Sequence, residues 1–200
     1  MAEKIIIPTS KGAMDALYYK VQASTSAVIF VGGAGGGWNS PNQARMYPSM
    51  CIKLSEIGIS ALHLKYRYGG NLEESTFDIL ETLKYLKING IEKVGIIGWS
   101  FGGAIVCQGA GKAQEGFVKA IATLATQSAG IDPIRNAKGC ASLFIHGSED
   151  TCLPTRCSEY TYKLAPDPKK LMIVSDHHGF FSTARECENA MIEWFSKYLL

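Results

Sequence analysis

The sequence predicts an α/β protein: a mostly parallel sheet with helices on both faces. Three observations carry this. Apolar runs of strand length alternate with segments of helical periodicity along nearly the whole chain. One run, Ala27 to Val31, is apolar without a break, as a strand buried on both faces must be. No linker, repeat or low-complexity tract interrupts the 200 residues, and 46% hydrophobic content suits one domain, 1–200, with a sizeable core.

The elements follow in order. Glu3 to Ile7 and Ala13 to Val21 read as two strands joined by a turn from Pro8 to Gly12, and Ala27 to Val31 as the third. A glycine-rich stretch, Gly32 to Gly37, ends at Trp38. Tyr47, Met50, Cys51, Leu54 and Ile57 recur at helical spacing and stop at Gly58. Ile59 to Leu64 is a strand, and Tyr66 to Gly70 a loop. Leu72, Ile79, Leu80, Leu83 and Leu86 mark a helix that closes at Asn89-Gly90. Val94 to Ile97, Val118 to Leu124, Ala141 to Ile145 and Leu171 to Val174 are strands. Thr155 to Leu164 reads as a helix, and a terminal helix carries Cys187, Ala190, Met191, Trp194, Phe195 and Tyr198 on one face. Ala125 to Cys140 is a long irregular connection, too short for a lid domain.

A net charge of +2 gives no reason to expect nucleic acid as a partner. The N-terminus shows no secretory h-region, and no apolar stretch approaches a membrane span. The six cysteines form no C-x-x-C or zinc spacing and fall mostly in apolar periodic segments. A reduced, cytoplasmic protein without metal is the expectation.

The chemistry gathers around Gly98-Trp99-Ser100-Phe101-Gly102, a G-x-S-x-G pattern between a strand and a helix. Glycines at 98 and 102 remove side chains that a strand-to-helix reversal would crowd. Ser100 then stands at the tip, facing the positive end of the following helix. A nucleophilic serine needs a base, and the base an orienting acid. In a parallel sheet both belong beyond the carboxyl ends of strands. One later strand runs into His146-Gly147-Ser148-Glu149-Asp150, another into Ser175-Asp176-His177-His178-Gly179-Phe180. Serine, acid and histidine thus follow in chain order. From the residues alone, Glu149 competes with Asp150 and His177 with His178.

These motifs together resemble the α/β-hydrolase fold, close to its small, lidless dienelactone-hydrolase-like group. The resemblance runs over nearly the whole chain: the glycine-rich loop, the Gly98-x-Ser100-x-Gly102 elbow, H-G-x-x-D at His146 to Asp150 with Pro154 behind it, and H-G-F at His178 to Phe180. It implies an eight-stranded sheet with the second strand antiparallel and no cap domain. It implies Ser100 as nucleophile, Asp150 as acid and His178 as base, with no cofactor. Gly32-Gly33 stands where many relatives carry His-Gly. An oxyanion hole needs only backbone N–H groups, here those of Ala34 and Phe101.

The glycine-rich run is no phosphate loop: no Lys-Ser or Lys-Thr follows it, and a G-x-G-x-x-G counted from Gly33 would need glycine where Trp38 stands. Trp38, Tyr66, Tyr68, Trp99 and Phe181 flank the site loops as candidates for an aromatic pocket. Arg67 could hold a substrate carboxylate or brace its loop. His146 is expected to anchor its loop, His63 to pack, and Cys152 to be structural. The function expected is a serine hydrolase of esters, thioesters or lactones acting on a small-molecule or acylated substrate. The alternatives are a non-catalytic binding module on the same fold and an acyltransferase using the same residues. Substrate and oligomeric state stay open.

Overall fold

The computed structural model describes residues 2–200. Eight strands form one sheet: β1 (Glu3–Thr9), β2 (Gly12–Tyr19), β3 (Ser26–Val31), β4 (Ser60–Lys65), β5 (Lys93–Trp99), β6 (Val118–Leu124), β7 (Ala141–Gly147) and β8 (Lys169–Val174). Their order is β1-β2-β4-β3-β5-β6-β7-β8. β2 runs antiparallel to both neighbours. Every other pair is parallel. The connections carry a single turn α1 (Pro41–Ala44) and five longer helices: α2 (Met46–Glu56), α3 (Leu72–Ile88), α4 (Phe101–Lys112), α5 (Arg156–Leu164) and α6 (Ala184–Leu199).

The continuous apolar run of β3 has its physical reason in two cores. Ala27, Ile29 and Val31 enter one with α3 and α4, while Val28 and Phe30 enter the other with α2 and α6. α3 starts where Asn71 accepts the N–H of Glu74 at 3.1 Å, with Glu73 and Glu74 in its first turn and Lys87 in its last. α6 seats Cys187, Met191, Phe195 and Leu199, one per turn, in the second core.

Two expectations about connections change. The first hairpin turns over Ser10 and Lys11 alone, because Gly12 takes φ 109° and pairing continues to Thr9. The connection from Ala125 to Cys140 is not wholly irregular: a 3₁₀ turn at Asp132–Asn136 seats Ile134, with Ile131 just before it, in the core of α4.

The topology positions the site. The chain leaves β3 through α2 on one face and reaches β4; it leaves β5 through α4 on the opposite face and reaches β6. β3 and β5 are neighbours. Their carboxyl ends diverge there, opening the crevice that α/β sheets use for ligands.

Phe195 is fully buried where α6 meets the sheet. Phe195→Ala is expected to lower stability by about 3–5 kcal/mol, read as a reduced urea midpoint with an unchanged m-value.

Candidate active site

Ser100 is the single residue between β5 and α4, and it holds φ 59° and ψ −117°. A non-glycine residue there is strained by about 1–3 kcal/mol. The neighbours hold it in place. Its N–H bonds Leu124 O at 2.8 Å, and its carbonyl accepts from Gly103 N at 3.0 Å and Gln127 N at 3.3 Å. A Cβ on Gly98 would lie 2.1 Å from Gly102 O, and one on Gly102 would lie 2.5 Å from Gly32 O. The close approach of α4 to β5 and to the end of β3 therefore requires glycine at both positions.

The glycine-rich loop lies against this elbow: a Cβ on Gly33 would come 3.7 Å from Ser100 Cβ. Its start is braced from beneath. Buried Tyr47 donates its hydroxyl to Val31 O at 3.1 Å, and buried Tyr66 donates to Gly32 O at 3.4 Å. His63 sits edge-on between Trp38 and Tyr47. Burial holds its imidazole down at about 4, so it is neutral near pH 7. Ala34 is exposed beyond this brace. Among the described residues the N–H groups of Ala34 and Phe101 have no backbone partner.

Two strand-end loops supply the charged groups. His178 Nδ1 is 2.7 Å from Asp150 Oδ2, whose side chain is fully buried. Asp150 Oδ1 accepts Cys152 N at 2.8 Å and Leu153 N at 2.9 Å. Among the described residues His178 Nε2 has no hydrogen-bond partner, and neither has Ser100 Oγ. Glu149 and His177 form a second pair that faces outward: their side chains are 52% and 62% exposed. The structure thus sorts the competing residues by burial, Asp150 and His178 inside, Glu149 and His177 outside. Asp176 is buried and accepts from His177 N, Ser182 N, Thr183 N and the Thr183 hydroxyl, so it organises the loop between β8 and α6.

Trp99 ties the elbow to the loop that carries His178. Its Nε1 donates to His178 O at 2.9 Å, and its ring lies 5.3 Å from the His178 ring. Asn42 N adds a bond to Gly179 O at 2.7 Å. Neither tie has a signal in the sequence, since both partners are distant in the chain.

The aromatic candidates separate. Tyr66 is a buried brace that stacks edge-on against Phe101, not a rim residue. Tyr68 and Phe181 are exposed, while Trp38 and Trp99 are half-buried. Arg67 braces its loop: Nε bonds Asp78 at 2.6 Å, Nη2 bonds Glu74 at 2.6 Å, and Nη1 bonds Lys11 O at 2.8 Å. All six cysteines are free thiols, and Cys152 alone is exposed. No group of His, Cys, Asp and Glu among the described residues could hold a metal ion. No helix among them is long and apolar enough to cross a membrane.

Burial pushes the Asp176 carboxyl up, but the donors from Thr183, His177 and Ser182 outweigh it and hold it below 3.8. A depressed carboxylate stabilises the fold above the unfolded-state value and loses that contribution as the pH falls through the folded one. Asp176→Asn is expected to cost about 1–3 kcal/mol near neutrality. In urea titrations the gap to wild type should close as the pH drops below about 4.

Comparison with known proteins bears on the whole chain. A dienelactone hydrolase from Anabaena variabilis superposes with a TM-score of 0.87 at 16% identity, covering 100% of this chain and 99% of that one. Est1E from Butyrivibrio proteoclasticus gives a TM-score of 0.81 at 17% identity, with 97% and 98% covered. The Pyrococcus furiosus esterase Pf2001 gives 0.80 at 15% identity, with 100% and 94% covered. These likenesses establish the α/β-hydrolase fold. A search of curated protein sequences returns no match. The model of the dienelactone hydrolase family matches residues 61–198, more than half of the chain. The chain therefore belongs to the dienelactone hydrolase family.

Proposed function

We propose that the protein is a serine hydrolase that cleaves an ester, thioester or lactone through Ser100, His178 and Asp150. The observation that carries this reading is the 2.7 Å bond from His178 Nδ1 to buried Asp150, on a loop that Trp99 holds beside the elbow. That bond sets the proton on Nδ1 and leaves the Nε2 lone pair for a hydroxyl.

The reaction follows from those positions. Ser100 Oγ attacks the substrate carbonyl carbon while its proton passes to His178 Nε2. The imidazolium stays bonded to Asp150 through Nδ1. The carbonyl oxygen becomes an oxyanion and takes the N–H groups of Ala34 and Phe101, the latter at the positive end of α4. The tetrahedral centre collapses, the bond to the alkoxide or thiolate breaks, and Nε2 returns its proton to that leaving group. Water, deprotonated by Nε2, then attacks the acyl-enzyme and releases the acid and Ser100.

A fluorophosphonate probe is expected to label the folded protein at Ser100 and to leave Ser100→Ala unmodified. Labelling that survives Ser100→Ala would overturn the reading. On a panel of p-nitrophenyl esters, Asp150→Asn is expected to lower kcat by about 10⁴-fold. Background rates across the panel, with the protein folded, would favour the binding-module alternative.

A further inference from the structure

Two histidine rings flank Asp150, and only one of them belongs to the reaction proposed above. His146, at the end of β7, is completely buried, and both of its ring nitrogens are engaged. Nε2 lies 2.8 Å from Leu153 O and 3.3 Å from Asp150 Oδ2. Nδ1 lies 2.6 Å from the hydroxyl of Ser158 on α5. Neither a backbone carbonyl nor an ionised carboxylate can donate, so the proton must sit on Nε2. Nδ1 then presents a lone pair, and Ser158 donates to it.

We infer that His146 is a positioning residue. As a neutral imidazole locked in the Nε2–H tautomer, it shares Oδ2 of Asp150 with His178 and holds that carboxylate in line with the base. Its neutrality matters: a second imidazolium beside Asp150 would compete with His178 for the same negative charge.

The surroundings agree. Two titratable side chains lie against Asp150, His146 at 3.3 Å and His178 at 2.7 Å, while Glu149 and His177 pair with each other at the surface and Asp176 accepts from Ser182 and Thr183. Asp150 and His178 are the ones whose charge acts on the His146 ring. Burial lowers the His146 imidazole below its usual range; the pull of Leu153 O and Asp150 does not overcome that, and His178 lowers it further. Asp150 thus accepts three hydrogen bonds, two from backbone N–H groups and one from His178, and the His146 Nε2 lies 3.3 Å from the same Oδ2. The backbone pair fixes Oδ1, and the two rings flank Oδ2.

The inference rests on the assignment of Asp150 and His178 to catalysis, but its test needs no turnover. Long-range ¹H–¹⁵N spectra of the intact protein should show His146 neutral near pH 7, protonated at Nε2 and not at Nδ1. An Nδ1–H tautomer, or an imidazolium at that pH, would sink the idea. In folded His146→Phe, which removes the ring N–H beside Oδ2, the Nδ1–H proton of His178 should move downfield as its bond to Asp150 strengthens. In His146→Gln, which keeps an N–H near the Nε2 position, that resonance should stay close to wild type. An unmoved resonance in the Phe variant, or equal movement in both, counts against the inference. If the Phe variant does not fold, the tautomer and the Gln spectrum decide. On an ester that the wild type cleaves, His146→Phe should lower kcat about tenfold with little change in KM, and His146→Gln should recover most of it. Failure of fluorophosphonate labelling would remove the hydrolase reading while leaving the spectra to decide the role of His146.

Discussion

Ser100 can hold its strained backbone only because two side chains are absent beneath it. Without a Cβ at Gly98 and Gly102, α4 begins one residue after β5 and presses against the carbonyl end of β3. Everything around the site depends on this closeness. It brings the N-terminus of α4 beside the glycine-rich loop and places Ser100 over the crevice between β3 and β5. It also sends the Trp99 side chain to the loop that carries His178. The strain is modest against the contacts on either side, since three backbone hydrogen bonds fix the one residue.

The loops that meet Ser100 are long and glycine-rich or polar, yet each is fastened from below. Tyr47 and Tyr66 hold the start of the glycine-rich loop through its carbonyls, and His63 fills the space beneath as a neutral aromatic ring. The brace on the loop thus comes from the strands and helix under it. On the far side, Asp176 gathers four donors and fixes the turn into α6. Two buried carboxylates, Asp150 and Asp176, thus stabilise adjacent loops by the same device: N–H groups that replace the water each carboxylate loses.

Burial also separates the two similar acid–histidine pairs. Glu149 with His177 and Asp150 with His178 are sequence neighbours of the same chemical types, and each pair is in contact. Only the inner pair is shielded from water, where a charged hydrogen bond is stronger than at the surface. Arg67 illustrates the opposite outcome. A lone arginine in a site loop reads as a substrate anchor or as a brace, and here two carboxylates and a carbonyl on neighbouring segments use its donors for the fold.

The architecture was legible in the order of residues because its causes are local: strand-length apolar runs, the 3.6-residue stripe of α6, and the glycine stops after helices. The elbow was legible too, since its spacing lies within five consecutive residues. What tertiary structure alone decided is which side chains face inward from loops that carry several of the same type. Asp150 and Glu149 differ by one position in a turn, and no periodicity says which carboxylate the fold will bury. Tyr66 as a brace, Trp99 as a tie to His178 and His146 as a partner of Asp150 share that reason: each depends on a contact between segments far apart in sequence, whose geometry is set by the packing of the whole sheet.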